Sequence, residues 1–145
     1  MTVMTEQNYK NHSRYVPLWH FITSGAIVCV LIGAIINFMK SSPDNLYSAS
    51  LIVVIALILG SMFWYSRWFA LRAQDRAIRA EETLRHFMLT GKPLDSRLRT
   101  GQIIALRFAS DEEFPELARK AAEKALRSKS IKRMIKIWRP DNYRV

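Results

Sequence analysis

The chain has 145 residues, half of them hydrophobic, with 22 Lys and Arg against 12 Asp and Glu. That length allows one domain, or a membrane hairpin carrying a small module. The single cysteine, Cys29, excludes an intrachain disulfide and a cysteine-built metal site.

The formal net charge of +10 is unevenly spread: from Arg67 onward there are 19 Lys and Arg against 10 Asp and Glu. No Asp, Glu, Lys or Arg occurs from Tyr15 to Met39, nor from Asn45 to Ser66. Each of these runs meets the roughly 20-residue requirement for a transmembrane helix. The first is too long for the apolar region of a secretory leader, and no A-x-A cleavage pattern follows it.

In chain order, residues 1–15 form a polar segment expected to lie on the membrane surface. Residues 16–66 read as a transmembrane hairpin, with spans over about 17–39 and 46–66. Pro17 suits a first helical turn, where its missing N–H is no loss, and Trp19, His20 and Phe21 fall at interfacial depth. Gly25, Cys29, Gly33 and Asn37 recur at four-residue spacing, a small-residue stripe of the kind that lets membrane helices approach closely. Ala49, Ala56 and Gly60 offer a matching face in the second span. The link Lys40–Asn45, with Pro43 and Asp44, has turn chemistry and makes the spans antiparallel neighbours. Lys10, Arg14 and the Arg67–Arg85 cluster outnumber Lys40, so the positive-inside rule places both termini in the cytoplasm.

The second span continues without Pro beyond an aromatic belt of Trp64, Tyr65, Trp68 and Phe69. One helix from Leu46 to Leu89 is expected, spanning first and then forming a cytoplasmic stalk. Ala70, Ala73, Ala77, Ala80, Leu84 and Phe87 recur at alternating spacings of three and four, a heptad-like seam. Its expected partner is the alanine face Ala118, Ala121, Ala122 and Ala125 of the same chain. Asp75–Arg79 and Glu81–Arg85 have favourable i,i+4 spacing. Thr90-Gly91-Lys92-Pro93 ends the helix.

The remainder, within a cytoplasmic module over 67–145, reads as three short helices. Asp95 is the expected cap of the first, which carries Ile103, Leu106 and Phe108. Ser110 and Glu113 form a capping box for the second. The third, Ser130–Arg139, sets Ile131, Met134, Ile135 and Trp138 on one face and Lys132, Arg133, Lys136 and Arg139 on the other. The fold class is thus all-α: a hairpin, a long stalk and a small helical module.

No phosphate-binding loop, nucleophile elbow or zinc pattern is present in the sequence. His12, His20 and His86 lie in separate segments, and helix capping accounts for Asp111, Glu112 and Glu113. The reading is non-enzymatic, with no cofactor and no metal.

Several segments together resemble a known family. They are Gln7-Asn8-Tyr9 with His12, Arg14-Tyr15 and Pro17, then Gln74-Asp75-Arg76 with Ile78-Arg79. Ala105 to Glu113 follows, and then Ile135-Lys136 with Trp138-Arg139-Pro140-Asp141. On these the chain resembles an uncharacterised family of small bacterial two-span membrane proteins, a domain of unknown function. The resemblance implies a bacterial inner-membrane setting and assigns no activity.

The functional expectation is an accessory or scaffold protein whose basic helical module binds a partner protein or a larger membrane complex. Lipid head groups or an acidic partner would meet Lys132, Arg133, Lys136, Arg139 and Trp138, while Gly25, Gly33, Ala56, Gly60, Ala73 and Ala77 would pack helices. The alternatives are a self-assembling, pore-like homo-oligomer and a membrane-tethered nucleic-acid binder. The latter rests on a loose helix-turn-helix order, and a solvated or lipid-facing surface explains the same basic residues more simply.

Overall fold

The computed structural model describes Asn8, Tyr9 and residues 16–141, so the rest of the polar segment 1–15 lies outside it. The described residues are helical: a π-helical turn Leu18–Thr23 leads into α1 (Ser24–Lys40), and a 3-10 turn Pro43–Asn45 into α2 (Leu46–Thr90). Then follow α3 (Thr100–Leu106), α4 (Phe114–Glu123) and α5 (Ser128–Met134). No strand occurs among them, only a single antiparallel bridge between Ala109 and Trp138. Two compact units result, one within residues 15–70 and one within 71–145 together with Asn8 and Tyr9.

In the first unit, α1 pairs with the beginning of α2. The contact buries Ala34, Ala49 and Ala56, and a methyl added to Gly60 would lie 3.8 Å from Ile27 Cγ2. At one end Trp19 stacks on Phe63 with ring centroids 4.1 Å apart, and the Arg67 guanidinium sits 5.3 Å from the Trp19 ring. The narrow face of the second helix is thus Ala49, Ala56 and Gly60. The stripe on the first helix is elsewhere. A Cβ on Gly25 or Gly33 would meet nothing within 4 Å, and Cys29 is exposed. The physical reason is pitch. A strict spacing of four drifts about 40° per step around a helix of 3.6 residues per turn, so it leaves any single contact line. Ile27, Leu31 and Ala34, spaced by four and then three, stay on it.

The second unit has its own core, in which Leu106, Phe108, Phe114 and Ile131 are fully buried. Ala118, Ala121 and Ala122 join this core, not the alanine seam of α2. Ala73, Ala77 and Ala80 stay exposed, and Ile78 and Glu82 are buried in their place. Alanine buries little area, whereas the Ile78 face buries a larger side chain and brings Arg85 within reach of its partners. That face wins.

Local caps also differ from expectation. Asp95 accepts from Arg97 N at 2.9 Å and closes a turn, while α3 starts five residues later. There Gln102 Oε1 accepts from Arg99 N at 2.7 Å, and its Nε2 donates to Leu126 O at 2.8 Å, tying α3 to the end of α4. Gly101 permits a close approach, since a Cβ there would lie 3.2 Å from Ser128 Oγ, which donates to Gly101 O at 2.8 Å. α4 starts at Phe114 with Pro115 in its first turn, and the Ser110–Glu113 box does not form because Glu113 is engaged elsewhere. The last helix stops at Met134, five residues short of Arg139, and Ile135–Pro140 continue without helical structure.

At the end of α2, Gly91 has φ +68° and donates its N–H to Phe87 O at 2.8 Å. An L side chain is strained in that conformation by about 1–2 kcal/mol. Gly91→Ala is therefore expected to lower the unfolding free energy by about 1 kcal/mol, read by thermal denaturation in detergent. An unchanged midpoint would mean that the corner relaxes without cost.

Candidate functional site

A cleft of about 400 Å³ opens within the second unit. α2 contributes Gln74, Ala77, Ile78, Glu81 and Glu82, the end of α3 contributes Arg107, and the tail contributes Arg139, Pro140 and Asp141. Three segments far apart in sequence thus meet, each among those that carry the family resemblance.

Arg85 ties the walls together. It bonds Glu82 Oε2 through Nη1 at 2.9 Å, Asp111 Oδ1 through Nε at 2.7 Å and the Ala109 carbonyl through Nη2 at 2.7 Å. Its Cζ also lies 4.5 Å from the centre of the Phe114 ring. The Glu82 side chain is only 7 % exposed, and its second oxygen lies 3.9 Å from Arg139 Nη1. Across the cleft Arg107 Nε meets Asp141 Oδ2 at 3.0 Å, with Arg107 also over the Phe108 ring at 4.7 Å. Two pairs in the cleft, Arg107 with Asp141 and Arg139 with Glu82, are thus matched in sign. This arrangement latches chain segments together.

The tail is fastened through its backbone. Arg139 N donates to Phe108 O at 2.8 Å and Ser110 N to Ile137 O at 3.2 Å. The Glu113 carboxylate accepts from Lys136 N at 3.0 Å and from Ile137 N at 3.2 Å. One acidic side chain therefore binds two successive main-chain donors.

The basic residues singled out in the sequence are dispersed by this path. Lys132 lies over the Phe108 ring at 5.3 Å, and Trp138 packs on the same ring with centroids 5.1 Å apart. Arg133 is exposed, with the Tyr9 ring 5.5 Å from its guanidinium carbon. Lys136 is exposed too, and Arg139 enters the cleft. The structure brings Lys132 and Trp138 together and separates the others.

A second depression is lined in part by His86, Lys92, Asp95, Glu112, Glu116 and Arg119. Hydrogen bonds from the Arg97 side chain and backbone hold the Asp95 carboxyl down at about 2. Arg119 lowers Glu116, and the Ser110 hydroxyl, followed by the backbone N–H of Glu112 itself, lowers Glu112. These carboxylates stay ionised at neutral pH. His86 Nδ1 lies 3.0 Å from Lys92 O. Among the described residues no group of three His, Cys, Asp or Glu is placed to hold a metal ion.

Sequence reasoning missed Glu82, Gln102 and the Arg107–Asp141 pair, and gave Glu113 a capping role in place of its hold on the tail. Only the Glu82–Arg85 spacing left a signal, and the Glu81–Arg85 spacing competed with it. Arg85 turns to Glu82 and Asp111 instead.

Two helical stretches, Leu18–Lys40 and Pro43–Thr90, are long and apolar enough to cross a membrane. A core helix of a soluble protein would be mostly buried, but only 6 % and 11 % of their most apolar windows are. No curated protein and no solved structure matches the chain. A family model described as a family of unknown function (DUF6526) matches residues 4–145, and with nearly the whole chain covered, the chain belongs to that family.

Proposed function

We propose that the chain is a non-enzymatic integral membrane protein of the bacterial inner membrane, an accessory or scaffold subunit. Its two spans form a hairpin, both termini lie in the cytoplasm, and the helical unit there serves a partner protein or a larger membrane complex. The observation that carries the membrane reading is the exposure of large apolar side chains on both long helices. Val28, Ile32, Ile52 and Leu59 are each 45–54 % exposed, a surface that water penalises and hydrocarbon accepts. The helical unit supports the scaffold role because its core is complete while its surface is charged. Arg133 and Lys136, being exposed, are its contacts for an acidic partner or for anionic lipid head groups. Lys132, Arg139 and Trp138 flank them from more restrained positions.

Alkaline phosphatase fused after Val145 is expected to be inactive, and a fluorescent protein there to fluoresce. Active phosphatase would overturn the topology. Affinity purification of the tagged full chain from mild detergent, followed by mass spectrometry, tests the scaffold role. A stoichiometric partner is expected, and its absence at several detergent strengths would count against an accessory subunit.

A further inference from the structure

The part of α2 beyond Leu71 turns Ile78, Glu82 and Arg85 towards the packed unit, keeps Ala77 and Glu81 exposed at the rim of the cleft, and leaves the adjoining side uncovered. There Leu84 and Phe87 are 60 % and 53 % exposed, with Met88 beside them at 77 %. Single exposed apolar residues need no explanation, but contiguous ones on a charged helix mark an interaction surface. The pattern continues through exposed Ala80, Ala77 and Ala73 at spacings of three and four. This is the seven-residue period of a left-handed coiled coil, with Ala77 and Leu84 at position a, and Ala73, Ala80 and Phe87 at position d. A shallow groove lined by Arg76, Arg79, Ala80, Thr83, Leu84, Phe87 and Pro93 borders that side.

The flanking charges choose the occupant. In this register Arg76 takes position g and Glu81 the e position of the next heptad, and both are exposed. Two parallel, in-register helices place each g residue opposite the e residue five places on in the other strand. Arg76 of each copy then meets Glu81 of the other, twice by symmetry. An antiparallel pair would oppose g with g and e with e, setting like charges together. Two copies inserted the same way in one bilayer are parallel from the outset, and a shared membrane raises their effective concentration. We propose that this side of α2 pairs two copies of the chain as a short parallel coiled coil, closed by Leu84 and Phe87 and set in register by Arg76 and Glu81. The inference rests on the membrane reading above and adds the identity of one partner, a second copy.

The test uses the full chain in native membranes with Cys29→Ser as background. Ala80→Cys and Phe87→Cys, under mild oxidation, are expected to give disulfide dimers several-fold more abundant than Arg72→Cys, an exposed position away from the groove. Arg76→Glu or Glu81→Arg alone should lower the Ala80→Cys yield several-fold, and the two reversals together should restore it. Equal yields at 72 and 80, or failure of the double reversal to restore dimers, would overturn the pairing. The same membranes are washed at alkaline pH. Protein that stays in the pellet without crosslinking sinks the pairing alone, whereas protein that washes off sinks the membrane reading and the pairing with it.

Discussion

Arg85→Met is expected to destabilise the helical unit by about 3–5 kcal/mol, the range for removing one partner of a buried ion pair. Most of that cost falls on what remains. The Glu82 side chain, 7 % exposed, would keep only Arg139 at 3.9 Å, and the Ala109 carbonyl and Asp111 would lose their donor. Methionine fills similar volume over Phe114, so the loss reports charge rather than packing. The control is the double replacement Glu82→Gln with Arg85→Met, which removes both charges and should cost distinctly less than the single change. Unfolding of the full chain in detergent, followed by circular dichroism or by limited proteolysis of residues 71–145, measures both. If the single variant is as stable as the parent, Arg85 is not the tie described above.

Phe108→Ala is expected to cost about 3–5 kcal/mol, the usual range for emptying a fully buried aromatic site. Phe108 has no exposed surface and carries three neighbours on its ring: Trp138, Arg107 and Lys132. Its carbonyl also receives the Arg139 N–H. Removing the ring therefore undermines the seat of the tail as well as the core. Fluorescence of the full chain is complicated by its other tryptophans, so protease accessibility after Lys136 is the cleaner readout. A variant whose tail resists cleavage as the parent does would show that main-chain bonds alone hold it.

The parts of this fold legible in the sequence are those set by composition or by a neighbour a few residues away. Two apolar runs gave two long helices, Gly91 gave the end of α2, and Ala49, Ala56 and Gly60 gave the narrow side of the second helix. What stayed illegible was decided by distant residues. Lys136 to Arg139 carry a helical pattern, yet their backbone is claimed by Glu113 and Phe108, more than twenty residues earlier. The same engagement removes Glu113 from the expected capping box. The alanine seam on α2 is a real period, but period alone does not say which chain covers it. Of the intrachain partner face expected for it, Ala118, Ala121 and Ala122 are spent on the core and Ala125 is exposed. Of the cleft, nothing in the sequence linked Arg107 with Asp141 across 34 positions, and Arg139 was noticed for its charge without its place beside Glu82.

The binding of two consecutive N–H groups by Glu113 has a consequence for solubility. Met134 to Trp138, with Ile135, Ile137 and Trp138, is a stretch rich in β-formers outside the apolar runs. Laid out in extended form with free donors, such a stretch would be an open edge on which another chain could add a strand. Here the donors of Lys136, Ile137 and Arg139 are already taken within the molecule. Ile137 can therefore stand 61 % exposed without an inviting backbone beside it. The Glu113 carboxylate and the Phe108 carbonyl together leave these N–H groups unavailable for strand addition.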